Sequence, residues 1–177
     1  VVISNALEND IIKDFGINDT KMTVAADGAK SREIDHHTAE KPQGYRLKVG
    51  YAGASYPGKG LQFVISLASE CPGLDFQIAG CSKEEVQCRF TYLPSNVSFL
   101  GFLKPIEVRS FLESNDVLIA PYSNRVEDCS GRDISRWFSP LKIFEYMAAG
   151  KAIVASDLPV LREVLEDKIN ALLCKPD

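Results

Sequence analysis

Little in this sequence of 177 residues supports a nucleic-acid surface, a membrane span or a metal centre. Its 20 lysines and arginines are outnumbered by 24 aspartates and glutamates, and the net charge of −4 excludes a predominantly basic nucleic-acid binder. The apolar runs are far too short to span a bilayer. Histidine occurs only as His36 and His37 in a polar loop, where we expect solvated side chains rather than a ligand pair.

The cysteines give no sign of a disulfide framework or a zinc site. Their number is odd, and no pair has the spacing of zinc ligands: Cys71, Cys81, Cys88, Cys129 and Cys174. We therefore expect reduced thiols and a cytoplasmic location. The chain has no signal peptide and begins at Val1 without an initiator methionine, so we interpret it as a segment of a longer protein or one whose start was removed.

From residue 46 onward, short apolar segments alternate with segments of helical periodicity. The predicted strands cover residues 47–52, 76–79, 97–100, 117–120, 152–155 and 171–173. The predicted helices cover residues 61–70, 83–92, 105–114, 140–149 and 159–166. Such strands favour a parallel sheet covered on both faces, and the alternation predicts a doubly wound, Rossmann-like α/β fold whose ligands bind beyond the carboxyl ends of the strands. Upstream, the pattern predicts short strands at 1–4 and 22–25, a helix between them closed by Gly16, and a polar linker at 29–44.

The loop after the first predicted strand of the sheet, residues 53–60, is rich in glycine and opens a helix. Glycine allows close backbone approach, the helix N-terminus offers free N–H groups, and Lys59, which we expect to be exposed, adds a positive charge. This combination predicts an anion site, although a plain turn with a solvated lysine has the same sequence features. The loop fits the P-loop pattern except that Gly60 replaces the serine or threonine that would bind magnesium. Phosphate binding without that metal chemistry is favoured, and a P-loop-like NTPase stays an alternative.

A second helix start occurs within residues 139–150. Ser139 is a good N-cap, and Pro140 suits the first helical position. Lys142 and Glu145 share a helix face, which suits a phosphate and a ribose diol but also an exposed ion pair, and spacing alone leaves both interpretations open. The residues of this helix that we expect to face the core are Phe144, Met147 and Ala148.

Four segments of the chain match the pattern of one protein family, and they occur in the same order as in that family: residues 2–6, 50–60, 96–102 and 139–165. Together they resemble the retaining family 4 of the GT-B glycosyltransferases, and the resemblance covers nearly the whole chain. It is most specific in the last segment, which includes Ser139-Pro140-Leu141-Lys142 and Arg162-Glu163-Val164. The resemblance implies the C-terminal half of a GT-B fold. Residues 1–45 would end the N-terminal domain and form the interdomain linker, and residues 46–177 would form a nucleotide-sugar-binding domain.

The resemblance implies a hexosyltransferase-type enzyme that moves a sugar from a nucleoside diphosphate to an acceptor with retention, without a metal or another cofactor. It implies that Lys59 and Lys142 are catalytic because they stabilise the leaving diphosphate, and that Glu145 binds the ribose. The implied donor-binding residues are Gly53, Gly58, Lys59, Phe102, Leu103, Ser139, Pro140, Leu141, Lys142 and Glu145.

The resemblance also implies partners: a nucleotide-sugar donor, a missing N-terminal acceptor domain, and a glycan or lipid-linked acceptor, but no nucleic acid. It suggests a role in polysaccharide biosynthesis, in the cytoplasm, with peripheral membrane association of the full-length protein as an option and an isolated fragment that is inactive. Two positions depart from the family pattern, because Trp137 replaces a glutamate that contacts the donor sugar and Ala54 or Ser55 replaces an arginine. Trp137 leaves open a non-catalytic nucleotide-sugar-binding module.

Overall fold

Six parallel strands form one sheet in the computed structural model, which describes residues 1–30, 41–136 and 138–176. The strands are β1 Lys48–Ala52, β2 Asp75–Ala79, β3 Val97–Gly101, β4 Val117–Ala120, β5 Ala152–Ser156 and β6 Leu172–Cys174. Their order across the sheet is β3-β2-β1-β4-β5-β6, and each adjacent pair is parallel. The predicted doubly wound, Rossmann-like fold is therefore confirmed.

Six α-helices accompany the strands in the described part of the chain: α1 Asn5–Phe15, α2 Leu61–Glu70, α3 Lys83–Gln87, α4 Pro105–Ser114, α5 Leu141–Ala148 and α6 Pro159–Arg162. The bounds of α2 and α4 agree with the predicted ones. The helices α3 and α6 are shorter than the predicted segments 83–92 and 159–166, because three-residue turn bonds follow each of them, as from the Arg89 amide to the Val86 carbonyl and from the Val164 amide to the Leu161 carbonyl.

The strands predicted at 1–4 and 22–25 are wrong. Val2 and Val24 form a single parallel bridge, in which the Val2 amide donates to Thr23 and the Val2 carbonyl accepts from Ala25. Ser4 immediately caps α1 by accepting a hydrogen bond from the Leu7 amide at 3.2 Å, so the helix begins before a strand can form. The predicted end of this helix at Gly16 is confirmed by its left-handed φ of 61°.

The hydrophobic core lies on both faces of the sheet, because alternate residues of a strand point to opposite sides. In β4, Leu118 and Ala120 pack in a cluster that contains residues of α4, α5 and α6. Ile119 packs in the other cluster, with residues of α2 and α3. None of the helices in the described ranges has the length and apolarity that a membrane span requires.

The N-terminal segment is attached to the rest of the chain by polar contacts. The Glu163 carboxylate accepts hydrogen bonds from the amides of Asn5 and Ala6, at 2.9 and 3.1 Å, and so binds the N-terminus of α1. Arg136 and Asp10 form an ion pair at 2.6 Å. The Arg136–Asp10 pair and the bond from the Ser139 hydroxyl to the Asp27 carboxylate place parts of this segment near the start of α5, where the candidate site lies.

Candidate donor-binding site

The order of the strands reverses between β1 and β4, because the chain builds the sheet outward from β1 on one side and from β4 on the other, and a ligand crevice is expected there in a doubly wound fold. Their direct pairing is limited to Val49 with Val117 and Gly50 with Leu118. Beyond that point the buried Tyr146 hydroxyl lies between them, accepting from the Ala52 amide at 3.1 Å and donating to the Ile119 carbonyl at 3.3 Å. The strands thus separate at their carboxyl ends, and α5 is attached to both.

A cleft of about 770 Å³ opens at this edge of the sheet. Five of the ten predicted donor-binding residues line it: Gly53, Phe102, Leu103, Leu141 and Glu145. Its rim is apolar and open, because 88% of Phe102 and 82% of Ile106 are exposed. A cavity of this size and character is typical of a small-molecule site.

Sequence reasoning missed several residues of the cleft: Gly28, Ala29, Lys30, Gly80 and Ile106. For Gly80 a signal was present, because a glycine directly after a predicted strand indicates close backbone approach. Its φ is 104°, and a Cβ there would lie 2.6 Å from the Gly53 carbonyl oxygen. Gly53 in turn allows the approach of Lys142, whose Nζ would be 2.8 Å from a Cβ at that position.

Lys59 and Lys142 come together beside the cleft. The Nζ of Lys142 lies 5.0 Å from the ring centroid of Tyr51 and 5.1 Å from that of Tyr122, and the Nζ of Lys59 lies 5.8 Å from the Tyr122 centroid. Neither ammonium forms an ion pair with any carboxylate in the described ranges. Two neighbouring cations that form no ion pair in the described ranges create a positive charge that can attract an anion.

The electrostatics of the two lysines reflect this crowding. Burial, with repulsion from Lys59, lowers the pKa of Lys142 to about 7. Burial also lowers the pKa of Lys59, and Asp128 partly opposes that shift. The expectation that Lys59 is exposed is met only in part, because its side chain is half-buried. The fully buried Tyr51 holds that loop by donating a hydrogen bond to the Lys59 carbonyl at 3.0 Å.

Glu145 lines the cleft and is half-buried, so the predicted position between core and cleft is confirmed. Burial raises the pKa of Glu145, and the nearby Lys142 opposes that shift. The predicted core residues of this helix are wrong, because the buried ones are Ile143 and Tyr146 while Met147 is exposed. The apolar stripe is rotated from the predicted one because Tyr146 must reach the β1–β4 junction.

The start of α5 differs from the prediction by one position. Pro140 is the N-cap rather than the first helical residue, and Ser139 does not cap, because its hydroxyl donates to the Asp27 carboxylate. The first intrahelical bonds run from Ile143 to Pro140, at 2.7 Å, and from Phe144 to the same carbonyl. The amides of Leu141 and Lys142 therefore precede the intrahelical pattern, which makes them available to an anion.

Gly58 and Gly60 allow the glycine-rich loop to pack against the segment after β4. A Cβ at Gly58 would lie 1.9 Å from the Arg125 carbonyl oxygen, and one at Gly60 would lie 2.0 Å from that of Pro121. Gly58 lines a separate cavity of about 580 Å³ and not the main cleft. A serine or threonine at position 60 would clash with backbone, so the P-loop hydroxyl has no room here. Trp137, His36 and His37 lie outside the described residues.

Two solved structures that match the fold cover nearly the whole of this chain. Anabaena Alr3699/HepE in complex with UDP matches with a TM-score of 0.72 at 20% identity, over 99% of this chain and 49% of that one. A glycosyltransferase from Rickettsia africae ESF-5 matches with a TM-score of 0.69 at 14% identity, over 99% of this chain and 48% of that one. At these identities the likeness shows the fold, which is that of GT-B glycosyltransferase structures.

Sequence comparison agrees with the fold. The chain is 28% identical over 115 residues to the proposed teichuronic acid biosynthesis glycosyltransferase TuaH of Bacillus subtilis (strain 168). That match covers 64% of this chain and 27% of TuaH, so the chain spans about a quarter of that relative and about half of the two structures. A family model described as glycosyl transferases group 1 matches residues 46–177. The chain therefore belongs to the glycosyl transferases group 1 family.

Proposed function

We propose that this chain is the donor-binding part of a retaining, family 4-type glycosyltransferase that transfers a sugar from a nucleoside diphosphate to an acceptor. The observation that carries this proposal is the pair of ammonium groups of Lys59 and Lys142, which lie close together at the carboxyl edge of the sheet and form no ion pair with a described carboxylate. A diphosphate supplies the two adjacent negative charges that such a pair lacks.

Each part of the donor has a matching group. Lys59, Lys142 and the free amides at the start of α5 would bind the diphosphate. The Glu145 carboxylate, which can accept two hydrogen bonds, would bind the ribose hydroxyls. Backbone groups near Phe102 and Leu103 would hold the base at the apolar rim.

The same groups would assist the chemical step. As the bond from the anomeric carbon to the diphosphate oxygen breaks, negative charge develops on the leaving diphosphate, and Lys59 and Lys142 would stabilise it. The acceptor hydroxyl gives its proton to the departing diphosphate oxygen and forms the new bond to the anomeric carbon on the face that the leaving group vacates, which retains the configuration. We infer that no metal takes part, because the two lysines supply the positive charge that a metal would otherwise provide.

The identity of the leaving group, the pathway, the acceptor and the location belong to this proposal as well. The complex of HepE with UDP supports a nucleoside diphosphate as the leaving group. The likeness to TuaH supports a role in polysaccharide biosynthesis. We propose a glycan or lipid-linked acceptor bound by an N-terminal acceptor domain, an isolated fragment without turnover, and a cytoplasmic full-length protein with peripheral membrane association.

The two alternatives are less well supported. The P-loop-like NTPase is disfavoured because position 60 has no room for the serine or threonine side chain that would bind magnesium. A non-catalytic nucleotide-sugar-binding module would share the site and differ only in turnover. An assay of the full-length protein with a panel of donors distinguishes this module from an active enzyme, since a module binds a donor without transferring its sugar.

Binding is tested by titration calorimetry and thermal shift of this chain with UDP, GDP, ADP and their sugars. We expect one nucleoside diphosphate to raise the melting temperature more than its monophosphate does, and the double variant Lys59→Ala/Lys142→Ala to lose that difference. Equal shifts for mono- and diphosphates, or none for any nucleotide, would contradict the proposal. Retention is tested with the full-length enzyme, by determining the anomeric configuration of its product by NMR.

A further inference from the structure

One aromatic side chain contacts both candidate phosphate-binding lysines. Tyr122 follows β4 after Pro121 and is only 4% exposed. Its ring centroid lies 5.1 Å from the Nζ of Lys142 and 5.8 Å from the Nζ of Lys59. These distances are within the range in which a cation is attracted to an aromatic ring.

Two further rings complete the surroundings of the ammonium groups. Phe138 packs against Tyr122 with ring centroids 4.8 Å apart, and it lies 5.6 Å from the Nζ of Lys59. Tyr51 lies 5.0 Å from the Nζ of Lys142. Among the described residues, each lysine therefore contacts two rings, and Tyr122 is the ring that they share.

An aromatic ring does something for a lysine that a carboxylate does not. A carboxylate partner would accept hydrogen bonds from the ammonium N–H groups and would neutralise the positive charge before a ligand bound. A ring attracts the cation through its quadrupole and leaves the N–H groups free to donate to an incoming anion. A ring shared by two lysines also offsets part of their mutual repulsion and sets the distance between them.

We propose that Tyr122 is a positioning residue, whose ring holds the ammonium groups of Lys59 and Lys142 out of ion pairs with the described carboxylates and at the spacing that selects a diphosphate over a monophosphate. This inference rests on the proposed function, since it specifies how the donor-binding lysines are held. The ring acts through the lysines and does not itself contact the reacting atoms.

The pH dependence of binding gives a readout that a purely structural role would not move. The charged groups that influence the two lysines are Glu145 and Asp128, together with the lysines themselves, and Tyr51 stays neutral because burial raises its pKa. Loss of the ring's quadrupole disfavours the charged form of Lys142, so the pH above which the anion dissociates should fall.

The test replaces Tyr122 by phenylalanine, by leucine and by phenylalanines with increasing numbers of ring fluorines, in the 177-residue chain. Fluorination weakens the ring quadrupole while the ring shape stays nearly unchanged, so packing is preserved even if Tyr122→Leu fails to fold. The probes are inorganic pyrophosphate and inorganic phosphate, measured by titration calorimetry between pH 6 and 9.

We expect Tyr122→Phe to retain pyrophosphate affinity within about twofold, and the most fluorinated ring or leucine to lose about tenfold. Phosphate affinity should change much less, and the pH midpoint for pyrophosphate should fall along the fluorine series. As a partial comparison, Phe138→Leu removes one ring from Lys59 alone and should give a smaller loss.

Pyrophosphate affinity and pH midpoint that do not change along the series, while nucleoside diphosphates still bind, would overturn this inference and leave the proposed function standing. Pyrophosphate binding that follows the series, without binding of any nucleoside diphosphate, would support the role of Tyr122 and contradict the proposed function. A wild-type chain that binds nucleoside diphosphates but not pyrophosphate would overturn this inference alone, and one that binds neither would overturn both.

Discussion

The hydroxyl of Tyr146 accepts a hydrogen bond from the amide of Ala52, 3.1 Å away, where the order of the parallel strands reverses. Its proton is donated to the Ile119 carbonyl on the adjacent strand. One side-chain hydroxyl therefore takes the place of a backbone bond between β1 and β4. Because Tyr146 is one turn after Lys142 on α5, the same contact sets the height of that lysine beside the cleft.

We expect Tyr146→Phe to lower the free energy of unfolding by about 1–3 kcal/mol, because the buried Ala52 amide and Ile119 carbonyl lose their partner. Urea unfolding measures the loss, and hydrogen exchange should show faster exchange at the Ala52 amide. The exposed Tyr56, changed to Phe, is a matched control that should leave both quantities unchanged. Unaltered stability and protection in Tyr146→Phe would mean that the hydroxyl has no such role.

Lys59→Ala should weaken nucleoside diphosphate binding by about 1.5–3 kcal/mol, because one charge-assisted contact is lost. The fold should remain as stable as before, since the lysine is half-buried beside another cation and forms no ion pair in the described part of the chain. Titration calorimetry and thermal unfolding measure the two effects. The comparison variant is Lys13→Ala, at the exposed end of α1. Equal affinity in both variants would remove Lys59 from the site.

Binding of a nucleotide sugar should weaken as the pH rises above about 7, because the pKa of Lys142 is about 7 in the empty site and the anion needs the charged form. Binding near or above that pH should take up a proton, since the anion raises the pKa of Lys142. Calorimetry in buffers of different ionisation enthalpy measures the uptake. Lys142→Met should abolish it, and proton uptake that persists in this variant would assign the effect to another group.

The same shift predicts how stability depends on pH. The folded-state pKa of Lys142, about 7, lies below the ordinary value of 10.5, so between these values the unfolded chain binds a proton that the folded chain does not. The contribution of Lys142 to the free energy of unfolding therefore rises with pH from about 7 to 10.5, and it is least favourable below 7. Lys142→Met should raise the melting temperature most at pH 6. A smaller gain at pH 6 than at pH 9 would contradict this sign.

Glu145→Gln should weaken nucleoside diphosphate binding by about 1–3 kcal/mol, because the neutral amide accepts from the ribose less well than a carboxylate. The 2′-deoxy nucleotide should lose affinity for the wild type but much less for Glu145→Gln, and this coupling isolates the carboxylate–diol contact. Additive losses would make Glu145 a structural helix residue. Glu70→Gln, on the exposed end of α2, controls for a general change of charge.

Magnesium should not be needed for nucleotide binding. Residues 1–30, 41–136 and 138–176 contain no group of three or more His, Cys, Asp or Glu side chains that could hold a metal. We expect affinities measured in chelator and in millimolar magnesium to agree within about twofold, because two lysines provide the charge. A large loss in chelator would instead favour metal-dependent chemistry of the P-loop kind.

Much of the fold could be predicted from local pattern. The strand Val117–Ala120 and the helices Leu61–Glu70 and Pro105–Ser114 have the predicted bounds, because apolar periodicity and turn residues act over a few neighbouring positions. The ends of α3 and α6, and the bridge between Val2 and Val24, could not be predicted in this way. Short-range turn bonds follow the two helices, Arg89 after α3 also donates to the distant Ser55 carbonyl, and the bridge pairs two segments that α1 separates.

The sequence by itself determined the parallel α/β sheet, the glycine-rich loop, and a lysine and glutamate on one helix face, because each of these follows from residues close together in the chain. Only the tertiary structure decided that Lys59 and Lys142 share the ring of Tyr122, that Ser139 binds Asp27, and that Gly60 faces Pro121. The physical reason is the strand order. Placing β4 beside β1 brings together loops from distant parts of the chain, and the packing there sets both the charge and the burial of the site.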